Sequence, residues 1–216
     1  MKLSKSLLST TTTKIKGAAK SLFAAKGFDS VTVKEIGQKS RSNPALINYH
    51  FGGKKELYYA ILEEFTADGR ESARSLLTEP STPAEFIDHL NLYLRLFLER
   101  YLKDPELHLL LHRECEKARN KSQRQRFEDQ ILDVFVTLEQ FYATAKNKGL
   151  IKESVDPRLV TLMLFCTLGM LCQRDDLHKK FIGISLQDSE DLESVSRHLL
   201  LLYGYNLLTI DILASR

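Results

Sequence analysis

The 216-residue sequence has few of the features that mark secreted, disulfide-bonded or membrane proteins. Its three cysteines, Cys115, Cys166 and Cys172, are too few and too widely spaced for a disulfide framework, which favours a reducing compartment. The longest nearly apolar run, residues 159–172, is too short to span a bilayer, and the amino-terminal segment lacks the apolar core of a signal peptide. We therefore expect a cytoplasmic protein with no membrane partner.

Glycine and proline are also scarce, at 10 and 5 residues, so long helices are expected. The chain has no Gly-rich phosphate loop, no Gly-x-Ser-x-Gly elbow and no His-Glu-x-x-His pair. His112 and Cys115 are close on a predicted helix, but such neighbours make a poor base and nucleophile without an oxyanion site. We predict that the chain is not an enzyme and has neither a catalytic residue nor a metal or other cofactor.

Positive charge is concentrated in the amino-terminal quarter of the chain. Residues 1–55 contain eleven Lys and Arg against Asp29 and Glu35, a local charge of +9, whereas the remaining residues sum to −6. A basic segment on an acidic body predicts a polyanionic partner for that segment alone.

Hydrophobic periodicity divides this basic segment into three helices. Apolar residues at 15, 18, 19, 22 and 23 follow helical spacing, and Gly27 ends the first helix. A Thr-x-x-Glu capping box at Thr32 begins the second helix. The third begins near Pro44, capped by Asn43, and Gly52-Gly53 limits it to about two turns. A longer helix followed by two short ones is the outline of a helix-turn-helix unit.

The rest of the chain predicts an all-α fold of about nine helices. Beyond the third helix we expect helices at roughly 54–77, 84–102, 104–119, 121–148, 156–174 and 189–213, with a polar break at 175–188. The expected organisation is a flexible tail at 1–12, a helix-turn-helix domain at 13–56 and a second helical domain at 57–216.

The last two predicted helices carry more apolar surface than one core requires. The helix at 189–213 has two apolar stripes, and residues 159–172 are apolar nearly all round, so one face could pack on a second copy of the chain. The alternative is that both helices are central in one large domain. The expected dimer interface comprises Leu162, Phe165, Leu199, Leu202, Tyr203, Leu207 and Ile210.

The stretch VTVKEIGQKSRSNPALINYHFGGKKELYYAIL, residues 31–62, resembles the DNA-binding domain of the tetracycline-repressor (TetR) family of transcriptional regulators. The matching features are the capped second helix with Ile36, a short helix ending in Tyr49-His50-Phe51, and Lys54-x-x-Leu57 at the start of the fourth helix. AAKSLFAAKGF, residues 18–28, is similar to the family's first helix. The resemblance covers about residues 14–62, and the remainder matches only in all-helical architecture.

This resemblance implies binding to double-stranded DNA, with the amino end of the short helix in a major groove. Its polar and small side chains would face base edges, while Thr32, Tyr49 and Lys54 would contact phosphates, with Lys55 and Arg41 as weaker contacts. His50 and Phe51 would lock the short helix against its neighbours. The expected DNA-binding residues are Thr32, Arg41, Asn43, Pro44, Ala45, Asn48, Tyr49, Lys54 and Lys55.

The turn before the short helix departs from the family's usual Ala-Gly-Val-Ser. Here it reads Ser40-Arg41-Ser42-Asn43, so Arg41 replaces a glycine suited to the left-handed conformation, at a cost of about 1 kcal/mol. Ser42 replaces an apolar packing residue. We expect this turn to be locally different or less stable than is usual for the family.

The family's second domain binds a small molecule that changes the spacing of the two DNA-reading heads. The resemblance therefore implies an unknown small-molecule effector and a homodimer whose heads, once the effector binds, no longer fit successive major grooves about 34 Å apart. Repression is the expected default, because a dimer on promoter DNA obstructs polymerase. The expected ligand-binding residues are Tyr93, Phe97, His108, His112, Phe165 and Arg174.

Two alternatives remain open. His108, His112 and Cys115 are spaced i, i+4 and i+7 on a predicted helix and could bind zinc, nickel or copper with a fourth ligand from elsewhere, although the apolar neighbours also fit an ordinary packed helix. A helical interaction protein that does not bind DNA would leave the basic segment unexplained. Salt dependence separates these hypotheses, because binding through phosphates weakens steeply with salt.

Overall fold

A computed structural model of the chain describes residues 2–110 and 121–209, with side chains for 10–110, 129 and 132–209. The described residues form an all-α fold, as predicted, with one isolated β-bridge between Ile151 and Leu208. The helices are α1 (Lys2–Lys26), α2 (Val33–Ser40), α3 (Ala45–Phe51), α4 (Lys54–Leu76), α5 (Pro83–Lys103), α6 (105–110 in its described part), α7 (Lys121–Asn147), α8 (Pro157–Gln173), α9 (Asp175–Ile182) and α10 (Ser189–Tyr203), followed by a 3₁₀ turn (Tyr205–Leu207).

Side-chain caps explain where several of these helices begin. Thr82 and Asp156 each accept a backbone N–H from the first turn of the helix that follows, and a proline occupies the first turn of both α5 and α8. Asp188 accepts the N–H groups of Glu190 and Asp191 at the start of α10. These residues satisfy donors that a helix leaves unpaired at its amino end.

The described residues divide into two compact units, and the division falls within α4. The first comprises 2–66 and 106–110. Its core is built around the fully buried side chains of Phe23, Ile36, Ile47, Leu57 and Leu62. One residue from each of α1, α2 and α3 and two from α4 thus share a single apolar cluster, which fixes the short helices α2 and α3 on a stable base.

The second unit comprises 67–105 and 121–209. Its core joins α5 to α7, where the rings of Phe86 and Phe141 stack with centroids 5.1 Å apart. The Tyr142 hydroxyl donates to the Tyr203 carbonyl (3.0 Å) and ties α7 to the end of α10. The prediction of helices at 84–102, 121–148 and 156–174 is confirmed to within a residue or two.

The structure differs from the sequence-based expectation at both ends of the described chain. α1 begins at Lys2, inside the segment 1–12 that was expected to be a flexible tail. α10 ends at Tyr203, and Gly204 follows with φ −124° and ψ −85°, outside the helical range. The predicted helix at 189–213 is therefore shorter, and its last four residues lie outside the described part of the chain.

A further helix, α9, occupies part of the segment 175–188 that was expected to be a polar break. Asp175 and Asp176 lie in its first turn and Lys179 and Lys180 in its last, an arrangement that complements the helix dipole. The two compact units also differ from the expected domains, because the first extends to residue 66 and includes 106–110. Of the helices in the described residues, none is long and apolar enough to cross a membrane.

Candidate nucleic-acid interface

The amino end of α2 is closed by the predicted reciprocal cap. The Glu35 N–H donates to Thr32 Oγ1 (3.2 Å), and the Thr32 N–H and hydroxyl donate to the Glu35 carboxylate (2.8 and 2.9 Å). Lys26 Nζ donates to the same carboxylate (2.7 Å). The Lys26 hydrogen bond, followed by those from Thr32, lowers the pKa of Glu35 to about 2. An exposed threonine is thus held at the positive end of a helix beside an ion pair.

The turn between α2 and α3 places Arg41 in the left-handed conformation, with φ 55° and ψ 39°. The Ser42 N–H donates to the Gly37 carbonyl (2.9 Å) and the Arg41 N–H to the Gln38 carbonyl (3.2 Å), which is the Schellman pattern that usually has glycine at this position. Among the described residues, Arg41 is the one non-glycine with positive φ. The predicted strain is therefore located at Arg41, and its exposed side chain projects from the turn.

Gly37 allows α3 to approach α2 closely. A Cβ at Gly37 would lie 2.8 Å from Cγ of Pro44, closer than Cβ atoms approach other atoms in protein structures, and 3.0 Å from the Ser42 carbonyl oxygen. Only a glycine at this buried position leaves room for Pro44 at the start of α3. The orientation of the short helix relative to α2 depends on that contact.

α3 presents the predicted base-reading residues on its exposed side. Asn43, Pro44, Ala45 and Asn48 are all exposed. α3 begins at Ala45, so the N-cap residue is Pro44 and not the predicted Asn43, although Asn43 Oδ1 accepts the Ala45 N–H (2.9 Å). Ile47 points inward and is completely buried. A seven-residue helix anchored by one buried isoleucine therefore offers a polar amino end to solvent.

The carboxyl end of α3 carries a large exposed ring. Tyr49 is 78% exposed, and its ring lies 4.9 Å from that of His50. His50 and Phe51 are half-buried, and Phe51 packs against the core of the first unit, in agreement with their predicted locking role. The Tyr49 side chain is thus largely accessible at the carboxyl end of α3, where the sequence predicts a phosphate contact.

The two lysines that begin α4 have different surroundings. Lys54 is half-buried, and its Nζ donates to the carbonyls of Phe28 (3.0 Å) and Val31 (2.9 Å) while lying 4.3 Å from the centroid of the Phe28 ring. Lys55 is exposed. The Lys54 contacts could not be predicted from local sequence patterns, because their partners lie more than 20 residues earlier in the chain.

The structure does not bring the predicted ligand-binding residues together. Tyr93 and Phe97 are neighbours on α5, with ring centroids 6.4 Å apart, and burial raises the pKa of Tyr93 well above its usual range. His108 belongs to the first unit, where its ring meets that of Phe65 (4.8 Å). Arg174 pairs with Asp176 at 3.6 Å. Of the remaining two candidates, Phe165 lies on the exposed face of α8, and His112 lies outside the described residues.

The predicted dimer residues divide between surface and core. Leu162, Phe165 and Leu202 are exposed, but Leu199 is only 3% exposed and lies in the core of the second unit. Tyr203 and Leu207 also pack against that core, and Ile210 lies outside the described residues. Sequence reasoning missed three further exposed apolar residues of α8, namely Leu159, Met163 and Met170.

The described residues contain no group of three or more His, Cys, Asp or Glu side chains that could hold a metal ion. His112 and Cys115 of the metal-binding alternative lie outside them, so that hypothesis stays untested.

A capped helix, a tight turn and a short exposed helix define the helix-turn-helix class of DNA-binding domains. Residues 15–61 match the family of bacterial regulatory proteins called the tetR family. The resemblance noted in the sequence is thereby confirmed.

Several similar proteins are named as regulators of transcription. One curated relative, the HTH-type transcriptional repressor NicS of Pseudomonas putida, is 26% identical over 94 residues, which span 44% of this chain and less than half of that protein (43%). The fold is shared with Bacillus subtilis FadR in complex with stearoyl-CoA (TM-score 0.71, 19% identity, 90% of this chain and 98% of that one). It is also shared with the SmeT–triclosan complex (TM-score 0.71, 18% identity, 93% and 96%), SmeT being a repressor from Stenotrophomonas maltophilia. The tetR family and NicS are transcriptional regulators, in agreement with the prediction that this chain is not an enzyme.

Proposed function

We propose that the protein is a sequence-specific DNA-binding regulator of transcription, acting as a homodimeric repressor on a pseudo-palindromic operator and released by a small molecule. The observation that carries this proposal is the exposed side of α3, where Asn43, Pro44, Ala45 and Asn48 face solvent above a single buried anchor, Ile47. A helix of this size fits the major groove of B-DNA.

The exposed residues divide naturally between bases and phosphates. We assign Asn48 and Asn43 to hydrogen bonds with base edges, and Pro44 and Ala45 to apolar contact with thymine methyl groups. Thr32 and Tyr49 contact backbone phosphates through their hydroxyls, and Arg41 and Lys55 through their charges. Lys54 has three N–H donors and gives two of them to carbonyls, so at most one remains for a phosphate.

Dimerisation is supported by the exposed face of α8. Leu159, Leu162, Met163 and Met170 follow helical spacing along this face, and all are about half exposed or more. An apolar stripe of this length marks an interaction surface in a folded protein. A second copy related by a two-fold axis would cover it and set the spacing of two recognition helices.

An effector site in the second unit is supported by the solved relatives, whose complexes contain stearoyl-CoA and triclosan. Tyr93 and Phe97 are the best-supported lining residues, because they are neighbours on a helix of the second unit. The effector would act by preferring a dimer geometry that no longer matches the operator.

Fluorescence anisotropy tests the proposal. The duplex covers the DNA immediately upstream of the protein's own gene, and a scrambled duplex of the same composition is titrated beside it at several salt concentrations. Asn48→Ala should weaken binding to the native duplex by about 1–3 kcal/mol and reduce discrimination between the duplexes. Asn147→Ala, an exposed asparagine at the end of α7, is the matched control and should bind normally.

Each outcome of the titration is informative. Tight, salt-sensitive binding to the native duplex alone supports a sequence-specific, self-regulating repressor. Weak and equal binding to both duplexes moves the operator elsewhere in the genome. The absence of binding at low salt, with the protein folded, would refute the DNA-binding function.

A further inference from the structure

We propose that Lys54 is a positioning residue that holds the loop between α1 and α2, and through it the amino end of α2, against the first turn of α4. Its Nζ donates to the Phe28 carbonyl (3.0 Å) and the Val31 carbonyl (2.9 Å), and it lies over the Phe28 ring. The inference rests on the proposed DNA-binding function, because the amino ends of α2 and α4 are both proposed to meet the DNA backbone.

The location of Lys54 requires such partners. The amino end of a helix carries partial positive charge, so an ammonium in the first turn of α4 is unfavourable unless negative groups surround it. Two carbonyl oxygens and the negative face of an aromatic ring supply that environment. These contacts offset the unfavourable location of the ammonium and link the first turn of α4 to the loop between α1 and α2.

The loop that Lys54 holds leads directly into the cap of α2. The Val31 N–H also donates to the Phe28 carbonyl (3.4 Å), so both carbonyls of one turn converge on the same ammonium. The Val31 side chain is buried, and the next residue is Thr32, whose hydroxyl caps α2. Fixing the Val31 carbonyl therefore fixes the direction in which the chain enters α2.

The neighbouring lysine provides the contrast. Lys55 is exposed and is the natural phosphate ligand of this turn, whereas Lys54 acts through Thr32 and the first turn of α2. The two lysines thus have separate functions: Lys54 sets the distance between two DNA-contacting elements, and Lys55 meets a phosphate.

A double-mutant cycle separates positioning from direct contact. In the first cycle, DNA affinity is measured for Lys54→Met, Thr32→Val and the variant that carries both changes. The matched control cycle replaces Lys54→Met by Lys55→Met. If Lys54 acts by positioning Thr32, the Lys54→Met/Thr32→Val double variant should bind DNA no more weakly than the weaker-binding of the two single variants. Its affinity would then be about tenfold higher than the product of the two single losses predicts, as is typical of groups in one network. The affinity losses caused by Lys55→Met and Thr32→Val should multiply in their double variant, because the two residues contact DNA independently.

Hydrogen exchange gives a second measurement that requires no DNA. In Lys54→Met, amides in residues 31–36 should exchange faster than in the wild type, whereas in Lys55→Met they should be unchanged. Should Lys54→Met melt below the assay temperature, Phe28→Leu removes the ring beneath the ammonium while keeping the charge, and it should accelerate exchange in the same residues.

The two proposals fail in different ways. If the wild type binds no duplex, the proposed function fails, and the exchange measurement alone decides whether Lys54 holds the loop. If the wild type binds and the Lys54 and Thr32 losses multiply, Lys54 is an independent phosphate ligand and the positioning role is overturned. Unchanged exchange in residues 31–36 of both Lys54→Met and Phe28→Leu would also overturn it.

Discussion

Replacing Arg41 by glycine should increase the stability of the protein and decrease its affinity for DNA. Arg41 has φ 55°, and a left-handed conformation costs a residue with a Cβ about 1–2 kcal/mol. Glycine avoids that cost but loses about 0.5–1 kcal/mol through the greater freedom of its unfolded chain. The expected net gain in the free energy of unfolding is therefore about 0.5–1 kcal/mol, or roughly 1–4 °C in Tm for a chain of this size.

The same change removes an exposed positive charge from the turn that precedes the recognition helix. If Arg41 contacts a phosphate, Arg41→Gly should lower the slope of log K against log salt by about 0.9 per DNA-bound protomer. Thermal or urea unfolding gives the stability, and anisotropy at four or more salt concentrations gives the slope. In Arg41→Gly the free energy of unfolding should increase while the salt slope decreases.

Two further substitutions at Arg41 isolate the two effects. Arg41→Lys keeps both the charge and the strain, so its stability and salt slope should match the wild type. Arg41→Asn removes the charge, and asparagine tolerates the left-handed conformation better than arginine, so its stability should rise less than with glycine. A glycine variant that unfolds at the same or a lower temperature would refute the strain argument, and an unchanged salt slope would remove Arg41 from the DNA contacts.

Three other changes probe the remaining features. Gly37→Ala should destabilise the protein by about 1–3 kcal/mol and weaken DNA binding, because the new Cβ meets Pro44 at 2.8 Å. Glu35→Gln should strengthen DNA binding, because glutamine also serves in a capping box and removes a negative charge beside the proposed phosphate site. Met163→Glu, at a position 58% exposed on α8, should convert a dimer to a monomer in analytical ultracentrifugation.

Two of these changes have a matched control variant, and the Glu35 change has a test by pH. Gly17→Ala, on the open surface of α1 with nothing within 4 Å of the new Cβ, should gain stability. Leu92→Glu, at a position 51% exposed on α5, should leave the dimer intact.

The pKa of Glu35 is lowered to about 2, so its charge stabilises the folded state above about pH 4.5, and this contribution disappears as the pH falls toward 2. The stability difference between wild type and Glu35→Gln should shrink over that window in acid unfolding, and a constant difference would contradict the assignment.

Features that depend on neighbouring residues, such as helix caps and turns, could be predicted from the sequence, whereas contacts between distant residues could not. The Thr32 cap and the strained Arg41 turn each depend on a few adjacent residues, and each was predicted correctly. The end of α10 at Gly204 was missed because Tyr205 and Leu207 continue the apolar pattern beyond it, although they pack on the core from a 3₁₀ turn. Leu199 was assigned to a dimer face by periodicity, which identifies apolar stripes without saying what covers each one.

The charge of the first unit illustrates the same limit and leads to a quantitative test. The local charge of +9 counts every lysine alike, yet Lys26 pairs with Glu35 and Lys54 is held by two carbonyls. Of the proposed phosphate contacts, that leaves Arg41 and Lys55 as the free cations, or four in a dimer. The salt slope should then be about −3.6, against about −5.4 if Lys54 also met a phosphate in both protomers. A measured slope near the larger value would show that Lys54 is a phosphate ligand, and one near zero would show that phosphates contribute little to binding.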